Sequence, residues 1–214
     1  MRTLAKGMAC LATGLFVSAS AQAAITVQAL GTAAPPATLG GKQMTPAIDD
    51  TSAVFGTVTS APLTASKNVL FSPGVSHRSI GQGWASWSHG YTGDVYFLTA
   101  GDLTMTFDQN DLSAFYFYAE PNNFGVFPIS VTATDDAGNS QTVQQNPDGS
   151  SGATGWGIST SAGTKILTIT VSNPGGGAAG FAVGEFGWAK TIPGPGALAL
   201  LGAAGLVSRR RRRA

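Results

Sequence analysis

Between residues 24 and 190 the chain reads as short runs in which apolar and hydroxyl-bearing positions alternate. Leu103, Met105 and Phe107 are interleaved with Thr104, Thr106 and Asp108. Ile129, Val131 and Ala133 alternate with Ser130, Thr132 and Thr134, and Leu167, Ile169 and Val171 with Thr168 and Thr170. A period of two puts the apolar members of each run on one face, the pattern of an antiparallel strand with a core side and a wet side. Ala114 to Ala119 (Ala-Phe-Tyr-Phe-Tyr-Ala) is apolar throughout and predicts a central strand covered on both faces. Further strands are predicted over 25–30, 54–59, 68–71, 95–99, 140–144, 155–159 and 180–189. No window of the body carries the i, i+3, i+4 spacing of a helix. The prediction is all-β: an antiparallel β-sandwich, jelly-roll-like, of about ten strands without an internal repeat.

The connections carry turn chemistry. Asp135-Asp136-Ala137-Gly138-Asn139 predicts a hairpin in which Gly138 takes positive φ. Asn146 to Gly155 predicts a longer exposed loop, and the Pro/Gly/Thr-rich stretch 31–47 a surface excursion before the sandwich begins.

The two ends read as addresses. Arg2 and Lys6 precede an uncharged, mostly apolar stretch from Gly7 to Val17, and Ala21-Gln22-Ala23 supplies small residues for cleavage between Ala23 and Ala24. That predicts an N-terminal signal helix, removed on export. Cys10 is the sole cysteine, and Gly7-Met8-Ala9-Cys10 lacks the Leu expected three residues before a lipidated cysteine. A mature chain from Ala24 has no disulfide to form. At the other end, Ile192-Pro193-Gly194-Pro195-Gly196 breaks the chain. Ala197 to Val207 is free of charge, and Arg209 to Arg213 form an unbroken basic run. This predicts a short C-terminal transmembrane helix whose arginines stay cytoplasmic, leaving the body outside. The domain plan is therefore signal peptide 1–23, β-sandwich 24–190 and sorting segment 191–214.

The order of those three tail elements resembles the PEP-CTERM sorting signal of bacterial exoproteins. Pro193 and Pro195 match its two prolines, with Gly194 in place of the glutamate. Three stretches of the body, Trp84 to Tyr96, Phe115 to Asn122 and Gly184-Glu185-Phe186-Gly187, also resemble PEP-CTERM exoproteins, whose bodies are similar to jelly-roll carbohydrate-binding modules. The resemblance implies an exosortase-type membrane enzyme as partner, a transient inner-membrane intermediate, and a final place at the cell surface or in the extracellular matrix.

Charge changes the picture once the ends are set aside. The whole chain is +1, but without Arg2, Lys6 and Arg209 to Arg213 five basic residues face all 11 acidic ones, a net of −6. Such a body repels nucleic acid. Catalytic signatures are scarce. His77 and His89 lack the spacing of a zinc site, and the glycines form no phosphate loop. Asp94, Asp102, Asp108, Glu120 and Glu185 are carboxylates from which a hydrolase pair would be drawn. Calcium is the one cofactor raised, by Asp135, Asp136 and Asn139 and by Asp108, Asn110 and Asp111; neither stretch matches a calcium loop, and turn chemistry accounts for both. Trp84, Trp87, His89 and Tyr91 form an aromatic cluster suited to stacking on sugar rings, and equally suited to a β core. Trp156 and Trp188 read as core or rim.

The reading is thus a structural or adhesive exoprotein that binds extracellular polysaccharide, not an enzyme, with a secreted polysaccharide hydrolase as the alternative. Intact-mass analysis of protein recovered from the cell surface is expected to show neither residues 1–23 nor the arginine run. Recovery of the full-length chain with its arginines would overturn the processing route.

Overall fold

The computed structural model describes residues 25–150, 152–161 and 163–190. The signal segment with Ala23 and Ala24, the tail with Pro193, Gly194 and Pro195, and the helices predicted at both ends lie outside the described residues. The described chain is all-β. Its strands are β1 (Ile25–Gly31), β2 (Thr38–Leu39), β3 (Lys42–Gln43), β4 (Thr45–Pro46), β5 (Thr57–Thr64), β6 (Lys67–Ile80), β7 (Gly83–Trp84) and β8 (Asp94–Leu98). They continue with β9 (Leu103–Phe107), β10 (Leu112–Pro121), β11 (Ile129–Asp135), β12 (Ser140–Gln145), β13 (Thr154–Thr160), β14 (Ile166–Ser172) and β15 (Phe181–Lys190).

One sheet runs in the order β1-β13-β10-β15-β8-β6-β9-β14-β11-β12, with β4 beside β15 and β5 and β7 beside β6. Its pairings are antiparallel except the two-residue contact of β6 with β7. The sheet folds back until its two ends nearly meet. There the Gln141 side-chain oxygen of β12 accepts a hydrogen bond from the Val27 amide of β1 at 2.8 Å. The fold-over turns on β6. Residues Val69 to Ser72 pair with β9, whereas Ser76 to Arg78 pair with β8. Between them lies Ser72-Pro73-Gly74, where proline has no amide hydrogen to give the ladder and the strand changes neighbours. The β5–β6 hairpin therefore serves both halves of the sheet.

Inside the fold-over, most of the alternate apolar residues foreseen from period two meet: Leu103 and Met105, Ile129 and Val131, Ile169 and Val171 all belong to one buried cluster with Phe115, Phe117 and Trp156. Leu167, placed on the same face by the alternation, is exposed instead, because the β11–β14 register slips there and turns Ile166 inward. Phe107 on one half touches Phe115 on the other, ring centroids 5.1 Å apart. Trp156 is fully buried and donates to the Val143 carbonyl at 3.1 Å. Trp188 joins the same cluster, with the Lys67 ammonium over its ring at 5.0 Å. Lys67 itself is paired with Asp111.

β10 is buried at all ten positions, as its apolar run requires. Its outer side chains, Ala114, Tyr116 and Tyr118, enter a second cluster with Leu39, Met44, Trp84, Trp87 and Phe97. That cover corrects one expectation. The 31–47 stretch packs down, with Leu39 and Met44 buried and β4 laddered to β15, because the outer face around β10 is too apolar to leave wet. The 146–155 loop is likewise tucked in at Pro147, Gly149 and Ala153 rather than exposed throughout. The strand predicted over 54–59 starts at Thr57, and the one at 68–71 is the start of the 14-residue β6. The predicted hairpin is present, with Gly138 at φ 84 and its amide donating to the Asp135 carbonyl at 3.1 Å.

Glycines opposite β10 make room for its tyrosines. Tyr116 faces Gly187 across the ladder and Tyr118 faces Gly155. A Cβ on Gly187 would lie 2.1 Å from Tyr116 Cζ, and one on Gly155 would lie 2.6 Å from Tyr118 Cζ. Gly187→Ala is accordingly expected to cost roughly 1–3 kcal/mol through overpacking, read as a lower urea midpoint with an unchanged slope. An unchanged midpoint would show that Tyr116 is free to move aside.

Candidate functional site

A cleft opens where β15 exchanges one neighbour for another. From Phe181 to Gly184 it pairs with β8, and at Gly187 and Trp188 with β4. Glu185 sits at the switch with φ 54, and the register against β10 slips between Tyr116 and Tyr118 at the same level. This is a β-bulge, a device that re-aims a side chain and ends a pairing. A carboxylate in the left-handed region is sparsely populated for a non-glycine residue and costs of order 1 kcal/mol or more. Asp94, the first residue of β8, stands one register step beyond the last pair Gly184–Val95, so the two acids face the same opening. The cavity measures about 440 Å³, within the range of small-ligand sites. Its walls include Tyr91, Tyr96, Tyr116 and Met44, and its carboxylates are Asp49, Asp94 and Glu185.

Two of those acids are held from behind by an imidazole. Asp94 Oδ1 lies 2.9 Å from His77 Nε2, and its Oδ2 accepts from the Asp50 amide at 2.9 Å. His77 Nδ1 in turn meets Ser52 Oγ at 2.9 Å, and the ring stacks on Tyr96 with centroids 5.5 Å apart. The Ser52–His77–Asp94 chain has the order of a nucleophile relay. Its imidazole is 1% exposed, and the chain ties the 50–52 segment to Asp94 and to β6. On the other side, Glu185 lies 2.8 Å from His89 Nε2 and accepts from Trp87 Nε1 at 3.2 Å. Burial raises the Glu185 carboxyl above its ordinary range, against the opposing pull of His89 and Trp87. The phenols are kept protonated as donors. Burial and then Glu185 push Tyr116 up to about 12, and burial and then Asp94 or Asp50 push Tyr91 and Tyr96 higher still. Tyr96 donates to Asp50 and Tyr91 to the Asp94 carbonyl, each at 3.0 Å.

The sequence matches no model of a known protein family and no curated protein. The site's reading therefore rests on its geometry.

The predicted aromatic cluster is split by the fold. Trp84 and Trp87 are 7% and 6% exposed and spend their faces on the cover over β10. Trp84 packs on Phe97 and donates to the buried Glu120 at 2.6 Å, so neither Trp84 nor Glu120 reaches the cleft. His89 has its ring tucked in, 14% exposed, between Glu185 and the edge of Tyr118. Of the four, Tyr91 alone lines the cleft. The rings that join it, Tyr96 and Tyr116, come from strands whose apolar runs concealed them as core. Glu185 did carry a signal: it is the one acid inside the apolar run from Phe181 to Ala189, and glycines stand close on both sides. Where calcium was considered, the acids already accept bonds. Asp135 takes the Ala137 and Asn139 amides at 3.0 and 2.8 Å, and Asp108 takes the Asn68 amide at 3.0 Å. Among the described residues no three metal-ligating side chains converge.

The arrangement sets carboxylate acceptors and the half-buried ring of Tyr91 around one opening, with an acid at a raised pKa. Because the folded state holds the Glu185 proton more tightly than the unfolded chain, this group's contribution to stability is full below its ordinary value of 4.5 and is lost as pH rises above it. Glu185→Gln is expected to flatten that decline in a profile of melting temperature against pH. An identical slope in the variant would mean that another group is responsible.

Proposed function

We propose that the protein is an exported exoprotein of structural or adhesive type that holds extracellular polysaccharide in the β8/β15 cleft. The body is read as a jelly-roll-like β-sandwich, supported by a sheet that folds over a single core. Export, sorting by an exosortase-type enzyme and residence at the surface rest on the tail motif around Pro193, Gly194 and Pro195. The observation that carries the binding reading is a cavity of about 440 Å³ whose wall sets the half-buried ring of Tyr91 beside Asp49, Asp94 and Glu185, with the buried Tyr96 and Tyr116 completing the lining. Aromatic faces cover the apolar face of a sugar ring, and carboxylates accept from its hydroxyls. A second reading has one observation in its favour. Asp94 and Glu185 differ in environment and line one opening, which is one part of what acid and base in glycoside hydrolysis require.

Affinity electrophoresis through gels containing soluble polysaccharides tests both. Retardation by at least one glycan is expected, weakened about tenfold, or 1.4 kcal/mol, by Tyr91→Ala. Phe124→Ala, an exposed aromatic lining a different depression, is expected to bind as the parent does. Reducing-end release that disappears in both Asp94→Asn and Glu185→Gln would favour the hydrolase, and absence of retardation by every glycan would overturn the binding reading.

A further inference from the structure

The cleft is unbalanced in charge, and the imbalance specifies what enters it. Asp49, Asp94 and Glu185 line it, and among the described residues lining it there is no lysine or arginine. The partners of Asp94 and Glu185 are imidazole, indole and amide groups, none a permanent cation. Asp49 is exposed at the mouth and has no ion-pair partner among the described residues. The five lysines and arginines of the described chain are engaged elsewhere or point away: Lys42 binds the Thr160 carbonyl, Lys67 pairs with Asp111, Arg78 binds the Gly83 carbonyl, and Lys165 and Lys190 do not line the cleft. The walls reinforce the same preference. Tyr91, half-buried in the wall, contributes a phenol ring, whose face attracts cations.

We propose that the cleft selects glycans bearing free ammonium groups, that is, amino sugars without an N-acyl cap, over neutral and uronic-acid glycans. The inference rests on the polysaccharide reading above and sharpens it. An ammonium on the sugar ring would lie among carboxylates at a partly enclosed site, where attraction is stronger than in open water. A uronate would meet like charge, and an N-acetyl group would remove the cation while adding bulk.

Isothermal titration calorimetry with the full-length protein in low-salt buffer near pH 6 provides the test, using glucosamine, N-acetylglucosamine, glucose and galacturonate oligomers of equal length. Glucosamine oligomers are expected to bind at least tenfold more tightly than their N-acetylated counterparts, and galacturonate oligomers not to bind. The preference is expected to shrink severalfold at 0.5 M salt, through screening, and in Asp49→Asn. Asp49 is exposed, so that variant tests the charge without disturbing the core. Equal affinity for acetylated and free oligomers, or binding of galacturonate, would overturn the ammonium preference while leaving polysaccharide binding intact. Lysine oligomers bound as tightly as glucosamine oligomers would overturn it as a sugar preference. Failure of all four glycans to bind would remove the underlying reading as well.

Discussion

The outer face of the sheet around β10 cannot be left in water, and much of the molecule follows from covering it. Ala114, Tyr116 and Tyr118 point away from the core that the fold-over encloses, yet none is charged and the two tyrosine rings are large. Each buried aromatic is worth a few kcal/mol against exposure, so the face recruits a cover. The 31–47 stretch supplies Leu39 and Met44, and the loop after β6 supplies Trp84 and Trp87. Neither segment has a core of its own. Their placement depends on β10, and the cleft is the gap left between the cover, β8 and β15.

That origin explains why polar chemistry collects there. Cover segments join the ladders only briefly, β4 at β15 and β7 at β6, so the boundary carries side chains that must fasten one to the other. Asp94 binds the Asp50 amide and Tyr96 binds the Asp50 carboxylate. His89 and Trp87 reach from the loop to Glu185. The same carboxylates thus hold the cover down and face the opening. Buried networks of this kind are rigid when fully satisfied, which is what a preformed binding site needs.

The inner core was legible because it obeys local rules. Period-two runs at 103–108, 129–134 and 167–171 needed no knowledge of partners, though the slip that turns Leu167 out and Ile166 in is a relation between two strands; an apolar run such as 114–119 can only be covered on both faces. The cover was not legible, since a Pro/Gly/Thr-rich stretch has the composition of a loop wherever it lies. The predicted strand 68–71 stops short of Pro73-Gly74, a pair that breaks a strand locally and here forms a corner within β6. The site was legible in part. Trp84 and Trp87 were the conspicuous rings, but flat hydrophobic rings suit a cover as well as they suit a sugar, and only the neighbours on β10 decide. Tyr96 and Tyr116 were hidden by the opposite ambiguity. Glu185 depended on a bulge whose register slip is a relation between two strands and appears in neither alone.

The position of β15 has a mechanical meaning. It is the last described strand in the chain, and it lies in the middle of the sheet with β10 along one side and β8 then β4 along the other. β1, the first, sits at an end with β13 as its sole ladder partner. Tension entering from beyond Lys190 is therefore received by a strand that cannot be peeled from an edge; it can leave only by breaking two ladders together. Tension entering from before Ile25 meets a single ladder, and the strand it pulls on can unzip one bond at a time. A body hung from its C-terminal side is held by two ladders at once.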